Sequence, residues 1–238
     1  MVRNVPARAA DRLIVALDLP TVQQAREMTE RLDGVVSFFK LGLWLIFAPG
    51  FDRLVEELVG KGNKLFLDAK MYDIGETVKQ GVARAAERGV TFVTVHGDHD
   101  IVRTAVEGKK GSSLQILAIT VLTSMDDKGA AQLGYMRPVK DLIRDRVAMC
   151  TSLGCDGIIA SPQDVPDIRG LPDTEGLLVV TPGIRLPGGA LDDHKRAGSP
   201  SQAIAAGADY LVVGRPIVQA DDPAAMAARI IADIQSAA

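Results

Sequence analysis

Residues 64–73, with the sequence KLFLDAKMYD, join a short apolar run to the charged side chains of Asp68, Lys70 and Asp73. The run does not alternate apolar with polar residues, which is typical of a strand buried on both faces of a parallel sheet. Residues two apart on a strand face the same side, so Asp68 and Lys70 are expected to point into the same space. The stretch therefore predicts a buried parallel strand whose carboxyl end carries charge.

The same pattern, an apolar run followed by polar residues, occurs eight times along the chain. The runs are Leu13–Leu17, Val35–Phe39, Lys64–Leu67, Phe92–Val95, Leu114–Val121, Gly157–Ala160, Leu177–Val180 and Tyr210–Val213. Amphipathic segments typical of helices lie between them, including Val22–Leu32, Phe51–Val59, Thr77–Arg88, Leu142–Leu153 and Pro223–Ile234. This order predicts a single-domain (β/α)8 TIM barrel over residues 1–238, with residues 1–11 as an N-terminal extension. The alternative, an open doubly wound sheet, is disfavoured because no G-x-G-x-x-G motif follows the first run.

Polar residues follow the ends of the predicted strands. In a barrel these ends share one rim, and barrel enzymes place their active sites there. The candidate site residues at these ends are Asp18, Lys40, Asp68, Lys70, Asp73, Thr123, Ser124, Arg185, Gly214 and Arg215. The fourth and sixth predicted strands also end in polar residues, His96 and Ser161. One polar residue at a strand end is usually only a turn or a cap, but polar residues at all eight ends favour a functional site.

Each charged candidate also has a purely structural interpretation. Lys40 ends an apolar run and is costly there unless an acid such as Asp68 pairs with it, or unless its ammonium extends to solvent. Asp68 and Lys70 could form only a salt bridge of the barrel. Asp73 fits a helix cap in the sequence DIGE, and Asp18 could cap the helix after the first strand.

The last two strands end in glycine and arginine, which favours binding of an anion. The segments TPGIR (181–185) and VGRP (213–216) combine backbone amides with guanidinium groups, and barrels often bind phosphate at these loops. Pro216 fits the first position of a helix. Residues 185–196 suit a mobile lid because of their length and glycines. The alternatives are surface arginines and an ordinary surface loop.

Composition disfavours several classes of protein. The chain has 27 basic and 30 acidic residues, which give a net charge of −3. It therefore lacks the excess of positive charge that binding to a nucleic acid needs. Residues 41–51 are apolar but too short to span a bilayer, and the first residues lack the apolar core of a signal peptide. Cys150 and Cys155 are expected to be reduced structural thiols. We therefore expect a cytoplasmic protein without a nucleic-acid or membrane partner, and the scattered histidines and cysteines predict no metal site.

Together these motifs resemble the bacterial branch of the orotidine 5′-monophosphate decarboxylase family. The D-x-K-x-x-D pattern occupies residues 68–73 and is followed by Thr77, while Lys40 ends the preceding strand. Further matches occur in the same order as in the family: ALD (16–18), VH (95–96), VLTSM (121–125), TPGIR (181–185) and VGRP (213–216). The resemblance extends from about Arg12 over nearly the whole remaining chain.

The resemblance implies a homodimeric barrel without cofactor or metal that converts orotidine 5′-monophosphate to uridine 5′-monophosphate and CO2. This is the last step of de novo pyrimidine biosynthesis. It implies that Lys40, Asp68, Lys70 and Asp73 form the charged catalytic array, and that Lys70 protonates C6 after direct loss of CO2. Asp73 and Thr77 are implied to reach the active site of the partner subunit.

The family pattern also assigns substrate-binding roles. It implies ribose contacts for Asp18 and Thr77, pyrimidine contacts for Thr123 and Ser124, and phosphate contacts for Arg185, Gly214 and Arg215. Two positions depart from the pattern. His194 stands in place of the usual glutamine, so its bond to phosphate would depend on pH. Gly75 replaces the usual proline and loosens the turn after Asp73.

Two other functions remain open from the sequence. A metal-dependent relative, a sugar-phosphate decarboxylase or hexulose-phosphate synthase, shares the D-x-K-x-x-D pattern, and Gly75 is closer to its form. Such enzymes are expected to carry an acid at the position of Lys40 to help bind Mg²⁺, whereas a lysine repels the cation. A barrel that only binds a phosphate ligand would keep Arg215 but would not need four alternating charges.

Overall fold

The computed structural model describes residue 3, residues 5–185 and residues 198–237. Its strands form a closed parallel barrel in chain order, in which the eighth strand pairs with the first. The strands are β1 (Leu13–Ala16), β2 (Phe38–Leu41), β3 (Lys64–Met71), β4 (Phe92–His96), β5 (Gln115–Ile119), β6 (Gly157–Ile159), β7 (Leu178–Thr181) and β8 (Tyr210–Val213). The predicted (β/α)8 barrel is confirmed.

Helices connect the strands and cover the outside of the barrel. They are α1 (Val22–Arg31), α2 (Leu43–Ile46), α3 (Phe51–Gly60), α4 (Gly75–Glu87), α5 (His99–Gly108), α6 (Asp127–Gln132), α7 (Val139–Ser152), α8 (Val165–Arg169), α9 (Pro200–Ala205), α10 (Arg215–Val218) and α11 (Pro223–Gln235). A 3-10 helix, Ala9–Arg12, precedes β1. Within the described residues, every helix is too short or too polar to cross a membrane.

Three expected helix starts differ from those in the structure. The hydroxyl of Thr21, not Asp18, caps α1 by accepting from the backbone N–H of Gln24 at 3.2 Å. The residue before α4 is Ile74, and Asp73 only accepts from the N–H of Ile74 at 2.7 Å. Pro216 is the second residue of α10, since this helix begins at Arg215. Asp18 and Asp73 are therefore not used as helix caps.

The barrel interior is filled by aromatic rings at its lower levels. Phe38, Phe66, Phe92 and Tyr210 form one buried cluster, with ring centroids 5.2 to 6.0 Å apart. Side chains alternate between the two faces of a strand, so residues two positions further along also face the interior. The inward positions above these rings are therefore at the carboxyl ends of the strands. In β2, β3 and β4 they hold polar side chains instead of apolar ones.

Candidate active site

A cavity of about 710 Å³ opens at the carboxyl ends of the strands. Phe66 from the aromatic cluster contributes to its floor. The predicted site residues that line it are Asp18, Lys40, Asp68, Lys70, Thr123, Arg185, Gly214 and Arg215. The barrel thus brings together eight positions that are scattered from residue 18 to residue 215.

Four charged side chains form a continuous row in this cavity. The Nζ of Lys40 lies 2.9 Å from Oδ1 of Asp18 and 3.3 Å from Oδ2 of Asp68. The Nζ of Lys70 lies 2.6 Å from the same Oδ2 of Asp68. The order Asp18, Lys40, Asp68, Lys70 alternates negative and positive charge, so each group lies beside one of opposite sign. The expected pairing of Lys40 with Asp68 is confirmed.

The row keeps its charges although its centre is buried. Lys40 is 7% exposed and Asp68 is 9% exposed. Burial alone would lower the pKa of Lys40, but the carboxylates of Asp68 and Asp18 outweigh it and hold that pKa above its ordinary value. Burial likewise opposes the ionised form of Asp68, yet the ammonium groups of Lys40 and Lys70 hold its pKa below the ordinary value. Both groups are therefore ionised near neutral pH.

The two lysines differ in their access to the cavity. The side chain of Lys40 is 9% exposed and lies between two carboxylates. The side chain of Lys70 is 36% exposed and contacts Asp68. Lys70 is therefore the lysine whose ammonium has room to meet a bound molecule, whereas Lys40 is held inside the row.

Sequence analysis missed one polar residue beneath this row, Thr94. Its side chain is fully buried, and its hydroxyl donates to Oδ1 of Asp68 at 2.8 Å. The same oxygen accepts from the backbone N–H of Lys70 at 3.0 Å. The sequence does carry a sign of this role, because Thr94 is a polar residue at an inward position between two valines, in a strand that is otherwise apolar as far as His96.

Three predicted site residues lie outside the cavity of their own chain. Asp73, Thr77 and Ser124 are exposed, and none of them is among the described residues that line it. A fourth, His194, is outside the described residues. The cavity also has walls that were not predicted, among them Trp44 of α2.

The groups suited to an anion lie beside the charged row. Gly183 and Arg185 follow β7, and Gly214 and Arg215 follow β8. Because β8 pairs with β1, these groups are next to Asp18 in the order of strands around the rim. Around the rim, the cavity therefore presents arginines, then Asp18, then the lysines of β2 and β3.

Comparison with known proteins gives the family. The family model described as "Orotidine 5'-phosphate decarboxylase / HUMPS family" matches residues 11–230. The chain belongs to this family. This confirms the resemblance that the motifs carry, although the description covers two groups of proteins.

Individual relatives carry the first of the two names in this description. Orotidine 5'-phosphate decarboxylase from Rhodopseudomonas palustris (strain BisA53) is 48% identical, over 98% of this chain and 98% of the relative. The protein of the same name from Methylorubrum extorquens is 47% identical, over 95% of this chain and 97% of the relative. The crystal structure of orotidine 5'-phosphate decarboxylase from Lactobacillus acidophilus superposes with a TM-score of 0.83 at 32% identity, covering 94% of this chain and 99% of that one.

Proposed function

We propose that this chain is a cytoplasmic enzyme that decarboxylates orotidine 5′-monophosphate to uridine 5′-monophosphate and CO2, the last step of de novo pyrimidine biosynthesis. The observation that carries this proposal is the alternating row Asp18, Lys40, Asp68 and Lys70 in the barrel cavity. Relatives at 46 to 48% identity that bear the name of this activity support it.

The order of groups around the rim fits the parts of the nucleotide. We place the phosphate at Arg185, Gly214 and Arg215, because guanidinium groups and glycine amides suit a phosphate. The ribose then lies at Asp18 on the neighbouring strand, and the pyrimidine reaches the lysines of β2 and β3. Thr123, after β5, lines the same cavity two strands beyond β3, and we assign it to the pyrimidine edge. The family pattern implies a pyrimidine contact for Ser124 too, and we keep this assignment although Ser124 is exposed and lies outside the cavity beside Thr123.

The proposed reaction uses Lys70 as the proton donor. When the bond between C6 and the carboxylate breaks, CO2 leaves and the electron pair stays on C6. The ammonium of Lys70 stabilises this carbanion and then transfers one proton to C6, and the resulting amine regains a proton from water. A preorganised charge of this kind acts on the transition state without a cofactor. Asp68 holds the ammonium in place at 2.6 Å.

We further propose that the active enzyme is a homodimer with shared sites. Asp73 and Thr77 lie outside the cavity of their own chain, on the exposed connection into α4 and the first turn of that helix. Their neighbours Tyr72 and Ile74 are 69% and 74% exposed, which is unusual for large apolar side chains and suits a surface covered by a second copy. In such a dimer Asp73 extends the charged row of the partner, and Thr77 meets its ribose.

The metal-dependent alternative is tested by the position of Lys40. Its ammonium lies between the carboxylates of Asp18 and Asp68, which is where a divalent cation would need to bind. The experiment is decarboxylation of orotidine 5′-monophosphate by the purified chain in excess EDTA without added cofactor. We expect full turnover. Turnover that is lost in EDTA and restored by Mg²⁺ would overturn the metal-free reaction. No turnover of orotidine 5′-monophosphate under either condition would overturn the proposal and favour the sugar-phosphate enzymes.

A further inference from the structure

The pairing of β3 with β4 is interrupted beside the charged row. Leu67 pairs with Val93, and the next pair is Met71 with Val95. Three residues of β3, positions 68–70, therefore lie opposite the single residue Thr94 of β4. Such a bulge re-aims the side chains that it carries, and bulges are frequent next to active sites.

The bulge places Lys70 in an unfavourable backbone conformation. Its φ angle is +47°, in the left-handed region, where the Cβ of an ordinary residue crowds its own backbone. Such a conformation persists only when neighbouring groups hold it. At Lys70 the backbone N–H is held by the hydroxyl oxygen of Thr94, at 3.0 Å.

The same hydroxyl also binds the carboxylate next to Lys70. It donates to Oδ1 of Asp68 at 2.8 Å, while Oδ2 of Asp68 meets the Nζ of Lys70 at 2.6 Å. A hydroxyl can both donate its one proton and accept with its lone pairs. An ionised carboxylate can only accept, and an amide N–H can only donate. The direction of both hydrogen bonds is therefore fixed, and one side chain ties the backbone of Lys70 to its ion-pair partner.

We propose that Thr94 is a positioning residue for the decarboxylation, which holds Asp68 and Lys70 in the geometry that the reaction uses. Thr94 is fully buried, so it does not touch the substrate and acts only through these two residues. The inference rests on the proposed function, because it concerns the placement of the proposed proton donor.

The test compares Thr94→Val, which keeps the shape but removes the hydroxyl, with Thr94→Ser, which keeps the hydroxyl. The kcat is measured per active site, and the sites are counted by titration with uridine 5′-monophosphate. A hydrogen bond to a charged group is lost in the valine variant, so we expect its kcat to fall by about 10- to 100-fold. We expect affinity for the nucleotide to be retained, because the phosphate and ribose contacts are intact. The serine variant is expected to restore kcat to near the wild-type value.

A matched control is Thr29→Val on α1. Thr29 is also a buried threonine, but its hydroxyl donates to the carbonyl of Arg26, away from the cavity. We expect this variant to keep the wild-type kcat. The control shows whether removal of any buried hydroxyl slows the enzyme.

Several results would overturn the inference. They are a wild-type kcat per site in Thr94→Val, an equal loss in Thr94→Ser, or an equal loss in Thr29→Val. If the valine variant does not fold, Thr94→Ala replaces it, and failure of both to fold would show a structural role only. If the wild-type chain releases no CO2 from orotidine 5′-monophosphate, the proposed function fails and the inference falls with it. An active wild type with an unaffected Thr94→Val rejects the inference alone.

Discussion

Mixing two inactive variants tests whether the active site is shared between subunits. Lys70 lies in the cavity of its own chain, whereas Asp73 is exposed outside it. In a shared site, Lys70→Ala removes the proton donor of one subunit, and Asp73→Asn removes the charge that the same subunit gives to its partner. A mixed dimer then has one site with both wild-type residues and one site with neither.

The expected recovery follows from counting sites. With random equal mixing and two-fold symmetry, about half of the dimers are mixed and each has one intact site. About a quarter of all sites are then intact, so the mixture should reach about a quarter of the wild-type rate per subunit. The rate is measured from the change in pyrimidine absorbance as the carboxylate is lost. Exchange of subunits is verified with two affinity tags.

The control mixes Lys70→Ala with Asp68→Ala. Both residues belong to the same half of the site, so each mixed dimer has a defect in both cavities and no recovery is expected. Thr77→Ala mixed with Asp73→Asn is the control for the other half. If the Lys70 and Asp73 variants show no recovery despite proven exchange, Asp73 serves its own subunit and the shared-site proposal is wrong.

Two further variants test individual parts of the site. Lys70→Ala should lower kcat by at least about 10²-fold, since proton transfer by a positioned group contributes about 10²- to 10⁴-fold. Calorimetry should still show that this variant binds uridine 5′-monophosphate. A kcat like that of the wild type would refute the role of Lys70 as proton donor. In Gly42→Ala, the new Cβ would lie 2.7 Å from Oδ1 of Asp18 and 3.3 Å from the Nζ of Lys40. The side chain of Asp18 is half exposed and can move away without unfolding the barrel. We therefore expect KM to rise about tenfold and Tm to change little. An unchanged KM would show that Asp18 does not bind the ribose.

The sequence predicts the strands well where burial alone decides them. The run Tyr210–Val213 coincides with β8. By contrast, Val35 begins a predicted strand but lies in the turn after α1, where its N–H bonds the carbonyl of Leu32. The predicted third strand ends at Leu67, yet β3 continues to Met71. Apolar patterns report burial and not hydrogen bonding, so a strand that continues through charged residues extends beyond its pattern.

The site shows a prediction that was correct for an incomplete reason. Asp68 and Lys70 were expected to meet because residues two apart share one face of a regular strand. They do meet, but through a bulge in which Lys70 has a positive φ. At the bulge the hydroxyl of Thr94, on the next strand, accepts from the backbone N–H of Lys70, and the sequence around Lys70 does not reveal this contact between distant positions. Asp73 and Thr77 raise a different problem, because one chain folded alone cannot show what a second copy would bring to the cavity.

The cost of the charged row argues for an enzyme and against a barrel that only binds phosphate. Lys40 and Asp68 are buried above an aromatic floor, where removing charges from water costs more than a surface ion pair returns. Apolar side chains of similar size would fill these inward positions at a smaller cost, as they do one level below. A ligand-binding barrel would need only the arginines and glycines after β7 and β8. The chain instead keeps a buried aspartate that is paired with Lys40 and holds the ammonium of Lys70 in the cavity. The free-energy cost of burying these charges is explained if Lys70 must act on the bound molecule.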